Sequence, residues 1–183
     1  MKFDPNKHHR RSIRVAGYDY GAAGAYFVTV CVSRRRCAFG RIESGVMRLH
    51  PYGQIVAEQW EHSATLRAEI ALDEWIVMPN HFHAIVWFIA PPSLDAAPIK
   101  PSEAALRGPS RVLGALINGF KGAVTREVNA HRAGCGLAPV AVWQRNYHER
   151  IIRDERELQE KRRYIIENPL HWENDEENPY PTR

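Results

Sequence analysis

Two histidines stand one residue apart, at His81 and His83, inside the apolar stretch Trp75–Phe88. In an extended strand, residues i and i+2 share a face, so both imidazoles project one way and Phe82 the other. Paired imidazoles on a rigid strand make half of a metal site. The plainer alternative is two ordinary histidines on a half-exposed strand. The apolar flanks argue for burial, and the Pro79-Asn80 break places the pair at a strand end, where functional side chains often sit. The other chemistry-bearing residues are charges. Arg10, Arg11 and Arg14 cluster with Lys7, His8 and His9; Arg34, Arg35 and Arg36 are consecutive; Glu173, Asp175, Glu176 and Glu177 make the C-terminus acidic. Basic clusters suggest a polyanionic partner such as nucleic acid more than the net charge of +4 does. The alternative is a solvated arm and a solvated loop.

The chain that must position these groups has 183 residues, 44% hydrophobic and 25% charged, which suits one globular domain with its own core. Its three cysteines lack C-x-x-C spacing, which argues against a disulfide framework or zinc knuckle and fits a reducing cytoplasm. The first residues have no apolar core and are not expected to act as a signal peptide. No apolar run reaches membrane-spanning length, so no membrane partner is expected.

In chain order, residues 1–24 read as a basic N-terminal arm. Tyr26–Ser33, β-branched and aromatic, predicts a central strand. Short runs either side of Ser44-Gly45 predict a hairpin over 38–49. An amphipathic helix is expected from about Ile55 to Leu66, then strands over Ile70–Met78 and His81–Ala90. The Pro/Ala-rich segment 91–109 reads as a mobile loop inside the domain. Apolar residues at 112, 113, 116, 117, 120, 124 and 128 predict a second helix that Ser110 can cap; Gly114, Gly119 and Gly122 weaken it or permit close approach. A fourth strand is expected over 146–152. Asp154 is then a good N-cap for a helix running to Glu167 and stopping before Asn168-Pro169. The acidic residues 173–183 read as a tail. Set aside the hairpin and last helix, and the order is β-α-β-β-α-β: an α+β, ferredoxin-like or RRM-like two-layer sandwich. It would have an antiparallel sheet with helices on one face, an extra N-terminal β-hairpin and an added C-terminal helix.

Met78-Pro-Asn-His-Phe-His83 resembles the HUH single-tyrosine transposases, and most closely the REP-associated tyrosine transposases of bacteria. Arg11-Ser-Ile-Arg14, Tyr26-Phe-Val-Thr-Val-Cys31, Phe120-Lys121, Val142-Trp-Gln-Arg145, His148-Glu-Arg-Ile-Ile-Arg153 and Tyr164-Ile-Ile-Glu-Asn-Pro169 fit the same pattern, so the resemblance covers most of the chain. It implies that residues 25–172 form one catalytic domain, a single-stranded DNA endonuclease and strand transferase acting on imperfect palindromic hairpins. It implies Tyr164 as nucleophile, and His81, His83 and Asn168 as metal ligands; in the wider superfamily the third ligand is often Gln.

On the predicted last helix Tyr164 and Asn168 are i and i+4 and share a face. If that face covers the histidine strand, a phenol, an amide and two imidazoles converge. Attack by the phenol on phosphorus would give a 5′-phosphotyrosine and a free 3′-OH, so the bond is exchanged rather than hydrolysed. Two imidazoles plus an amide leave open positions for phosphate oxygens and favour Mg²⁺ or Mn²⁺, although histidines tolerate Zn²⁺. Candidate DNA-phosphate contacts are Arg11, Arg14, Arg34, Arg35, Arg36, Lys121, Arg145 and Arg153. Tyr18, Tyr20 and Trp143 are candidates for stacking on unpaired bases. Tyr147 is a rival nucleophile, and His148 beside it a base contact or a structural residue. The expected protein is cytoplasmic, nucleoid-associated when bound to DNA, and a monomer or homodimer. A second reading is a non-catalytic RNA- or single-stranded-DNA-binding domain, although the stacking signature of that class is missing around Phe27-Val-Thr-Val30. A third is a metal phosphoesterase using water; it would want more carboxylates near the histidines than Asp73 and Glu74.

Overall fold

The computed structural model describes residues 24–89 and 109–180; Arg11, Arg14, Tyr18, Tyr20 and nearly all of the 91–109 loop lie outside them. The elements are β1 (Gly24–Cys31), β2 (Gly40–Glu43), β3 (Val46–Leu49), α1 (Pro51–Thr65), β4 (Ile70–Val77), β5 (His81–Phe88), α2 (Pro109–Gly134), β6 (His148–Ile152) and α3 (Glu155–Glu167). A 3-10 turn at Ser33–Arg35 follows β1, and a 3-10 segment, Asn168–Asn174, follows α3.

Four strands form one antiparallel sheet in the order β4-β5-β1-β6, which is the ferredoxin-like arrangement expected from the element order. β2 and β3 pair separately as the predicted hairpin, turning through Ser44 and Gly45 at positive φ. Helix boundaries differ more than strand boundaries. α1 starts at Pro51, because proline suits the first helical turn and His50 precedes it in extended conformation. α2 continues to Gly134, past the last residue of its apolar stripe at Val128, as a solvated helical extension. A Cβ at Gly122 would meet nothing within 4 Å, so crowding does not require that glycine.

Alternation along the two central strands builds a core on each face of the sheet. One face carries Tyr26, Val28, Val30, Phe82, Ala84 and Val86, packed under α1 and α2 through Val56, Trp60, Leu116, Ile117, Phe120 and Val124. Trp60 is fully buried and meets Phe82 and Phe120 edge-on at centroid distances of 5.0 and 5.1 Å. Such pairs add about 0.5–1.5 kcal/mol each beyond their buried area. The other face carries Phe27 and Ile85, and there α3 packs through Leu158 and Ile165. Thus two helices cover one face, as expected for the sandwich, and the added C-terminal helix covers the opposite one.

α3 is held there by its sequence. Asp154 Oδ1 accepts from the Glu157 backbone N–H at 2.8 Å, the expected N-cap. Glu157 in turn accepts from the Arg153 N–H at 3.0 Å and pairs with the Arg150 guanidinium. On the sheet side, Arg162 donates twice to Asp73, at 2.8 and 2.6 Å, and the Trp87 indole N–H donates to the same carboxylate at 2.8 Å. Asp73 lies in a β-bulge where β4 gains one residue between Leu72 and Trp75 relative to β5.

Candidate active site

His81 and His83 do project together, from the face of β5 that α3 covers. They are 0% and 3% exposed, with ring centroids 4.5 Å apart, so the half-exposed alternative is excluded. Each imidazole has its Nδ1 side occupied. Thr29 is the cross-strand partner of His83, and its Oγ1 lies 2.8 Å from His83 Nδ1. His81 Nδ1 lies 2.9 Å from Asn80 Oδ1. The Asn80 amide nitrogen donates to the carbonyls of Arg35 and Glu177, at 3.2 and 2.6 Å. Its oxygen therefore faces His81 and accepts from Nδ1–H, which leaves the His81 Nε2 lone pair free. That Nε2 is buried and without a hydrogen-bond partner.

Tyr164 comes from α3, with its hydroxyl 3.4 Å from His83 Nε2 and the two rings 5.2 Å apart. Phe27 stacks on His83 at 5.3 Å and meets Tyr164 edge-on at 5.9 Å, so it packs against both rings. Asn168, one helical turn on, is 2% exposed; its Nδ2 donates to Asp175 Oδ2 at 3.3 Å, and its Oδ1 is buried without a partner. Tyr164, Asn168 and His83 thus line one cavity of about 540 Å³ within a single chain, and His81 lies buried behind it against His83. Tyr147, the rival nucleophile, packs against the core on the α1/α2 side instead.

Four residues at this site were not among the expected ones. Lys161 precedes Tyr164 by three positions, and its ammonium lies 4.8 Å from the Phe27 centroid and 5.4 Å from that of Tyr164. Its helical spacing from Tyr164 was readable in sequence. Asn80 adjoins His81, but only the folded turn shows what its amide does. Thr29 is identified only once β1 and β5 are in register. Asp175 is reached only because the chain turns back after Pro169: the acidic residues 175–177 line the cavity with His148 and His171.

This setting shifts the titratable groups. Burial pushes His81 down to about 4, against smaller raising effects of Asp175 and Asn168. Burial also lowers His83, helped by the neighbouring His81 and Lys161. Both imidazoles are therefore neutral near pH 7. Burial raises the Tyr164 phenol, and Asp175, Glu176 and Glu177 add to that, while Asn168 opposes it. The phenol is protonated at rest.

The basic candidates are more dispersed. Arg34 and Arg36 are exposed beside β1. Arg35 pairs with Glu177 at 3.2 Å and donates to the Glu176 carbonyl. The Lys121 ammonium donates to the carbonyls of Gln144, Arg145 and Asn146, at 2.7, 3.1 and 3.3 Å, pinning that loop to α2. It lines a second cleft, of about 520 Å³, with Trp143 and Arg145. Arg153 is exposed where β6 meets α3.

The donor set fits a divalent cation. Two lone-pair acceptors, His81 Nε2 and Asn168 Oδ1, are buried without donors, and a neutral imidazole stands beside them. Among the described residues no three His, Cys, Asp or Glu side chains cluster as a ligand set, so a cation bound at the histidine pair would need the Asn168 amide as its third ligand. No helix among the described residues is long and apolar enough to cross a membrane.

No protein-family model matches the chain. The structure of a REP-associated tyrosine transposase bound to a REP hairpin aligns with a TM-score of 0.51 at 18% identity, over 80% of this chain and 67% of that one. This likeness shows a shared fold: an antiparallel sheet with helices, as in that transposase. In sequence, an uncharacterized protein of Haemophilus influenzae is 34% identical over 178 residues, 96% of each chain. An identity of that level over nearly the whole of both chains means that this chain belongs to the same family as the Haemophilus influenzae protein.

Proposed function

We propose that the chain is a metal-dependent tyrosine transposase that nicks and joins single-stranded DNA at imperfect palindromic hairpins, through a 5′-phosphotyrosine. The observation that carries this reading is the Tyr164 hydroxyl standing 3.4 Å from His83 Nε2 inside one chain. A nucleophile and two of the candidate ligands, His83 and Asn168, then line one cavity without a second subunit, with His81 packed against His83. The fold shared with a REP-associated tyrosine transposase, and the REP hairpin bound in that structure, support the substrate class.

The residues divide the work. His81, His83 and Asn168 would hold Mg²⁺ or Mn²⁺. A bound cation supplies positive charge that polarises the scissile phosphate and eases departure of the 3′ oxygen. Tyr164 presents its oxygen from a helix anchored by the Arg162–Asp73 pair, so little freedom is lost at attack. Lys161 places a positive charge beside the phenol ring, which favours phenolate over phenol. The new bond joins Tyr164 Oη to phosphorus as the phenol gives up its proton; the bond from phosphorus to the 3′ oxygen breaks, and that oxygen takes up a proton and leaves as a 3′-OH. Because one ester replaces another, rejoining needs no ATP. Arg34 and Arg36, with Arg11, Arg14, Arg145 and Arg153, would track the phosphate backbone. Lys121 would contribute by shaping the 144–146 loop.

A non-catalytic RNA-binding sandwich stacks bases on an open sheet face. Here that face is covered by α3 and carries the buried histidines. The hydrolytic reading gains the carboxylates it lacked in sequence, since Asp175, Glu176 and Glu177 line the cavity. One experiment separates these readings: incubation of the protein with Mn²⁺ and a labelled single-stranded hairpin. A denaturant-stable covalent adduct that disappears in Tyr164→Phe is expected. Cleavage that survives in Tyr164→Phe would establish hydrolysis instead, and binding without cleavage would leave only the binding module.

A further inference from the structure

We infer that Asp175 is a positioning residue of the cation site, fixing the Asn168 amide so that its carbonyl oxygen faces the imidazoles. This rests on the reading of His81, His83 and Asn168 as ligands.

An asparagine amide has a donor end and an acceptor end, and only the oxygen can ligate a cation. A carboxylate can only accept, so Asp175 Oδ2 must face the amide nitrogen, as it does at 3.3 Å. The Asn168 oxygen is thereby turned away from Asp175, into a buried position where it finds no donor. His81 is prepared in the same way. The Asn80 amide, oriented by its two carbonyl acceptors, takes Nδ1–H and leaves the Nε2 lone pair unmatched.

Two buried acceptors on one site, both deprived of donors by their neighbours, are costly for the empty protein. They become favourable when a cation accepts both lone pairs. Asp175 is itself held in place. Its Oδ1 accepts from the Glu177 N–H at 2.7 Å, and its own N–H donates to the Trp172 carbonyl at 3.2 Å. Glu177 supplies one of the carbonyls that orient Asn80. One short stretch, Asp175 to Glu177, therefore sets the acceptor direction at two of the three ligands.

The test is Mn²⁺ binding without DNA, measured by calorimetry or by loss of the free-ion electron paramagnetic resonance signal. The proteins are the full chain, Asp175→Ala, Asn168→Ala, the double variant and His81→Ala. Asp175→Ala is expected to weaken Mn²⁺ affinity about 10–100-fold. Since it acts through Asn168, it should add little in the Asn168→Ala background. Unchanged affinity in Asp175→Ala, or an effect that adds in full on top of Asn168→Ala, overturns the inference and leaves the ligand reading standing. If the full chain binds Mn²⁺ no better than His81→Ala, the ligand reading itself has failed. Should Asp175→Ala lose its cooperative melting transition, Asp175→Leu, which is similar in size but cannot accept from the Asn168 amide, is read by the same criteria.

Discussion

At His81 and His83 the neutral state at physiological pH follows chiefly from burial, which His81 and Lys161 reinforce at His83. His81 is held at about 4 against an ordinary 6.5. The unfolded chain therefore binds more protons than the folded one wherever the pH lies between those values, and stability falls as the solution is acidified. That contribution is complete above about pH 6.5 and is lost by about pH 4; the arithmetic gives about 3 kcal/mol for His81, and His83 acts with the same sign. Metal-free melting temperatures should decline over this range, and should decline much less in His81→Asn with His83→Asn. The histidine pair was legible because alternation in a strand is a strict rule and the flanks are apolar. Asn80, Thr29 and Asp175 were not, because each acts through a neighbour that only folding supplies.

At the scale of the element, α3 is the part whose docking matters most. Leu158 and Ile165 fill its underside, and Arg162 ties it to β4 two residues before Tyr164. Asp73 is held at about 2, chiefly by the Arg162 hydrogen bonds, against an ordinary 3.8. The tie is thus intact above about pH 4 and fades as the pH falls toward 2. Arg162→Ala leaves a largely buried carboxylate with only the Trp87 indole and a backbone N–H. It should cost about 1–3 kcal/mol in chemical denaturation and slow adduct formation. The helix, its Asp154 cap and its end before Pro169 were readable from local signals. Its side of the sheet was not, since nothing local to α3 says which core its Leu158 and Ile165 will join.

For the whole molecule, the ferredoxin-like order emerged from the alternation of strand and helix patterns alone. What stayed hidden was the return of residues 168–178 over the cavity, because a polar, acidic stretch after a proline carries no periodicity. Exposed Arg34 and Arg36 stand outside the cavity, where they suit the phosphates of the proposed substrate, while the carboxylates 175–177 that line it suit a cation. Hairpin binding should therefore weaken steeply with salt. Arg34→Ala with Arg36→Ala should reduce the slope of log affinity against log salt by about 2, measured by fluorescence anisotropy.

The extra residue in β4 also bears on how these molecules behave at high concentration. β4 and β6 are the two rims of the sheet. β6 is only five residues long and includes His148, Glu149 and Arg150; β4 is longer and more apolar, but is interrupted at Asp73 and Glu74. A flat, unbroken rim invites a neighbouring copy to add strands to it, and a kink bearing carboxylates discourages that. Deleting Glu74 would straighten this rim. The shortened protein should self-associate on a sizing column at concentrations where the parent elutes at its own size.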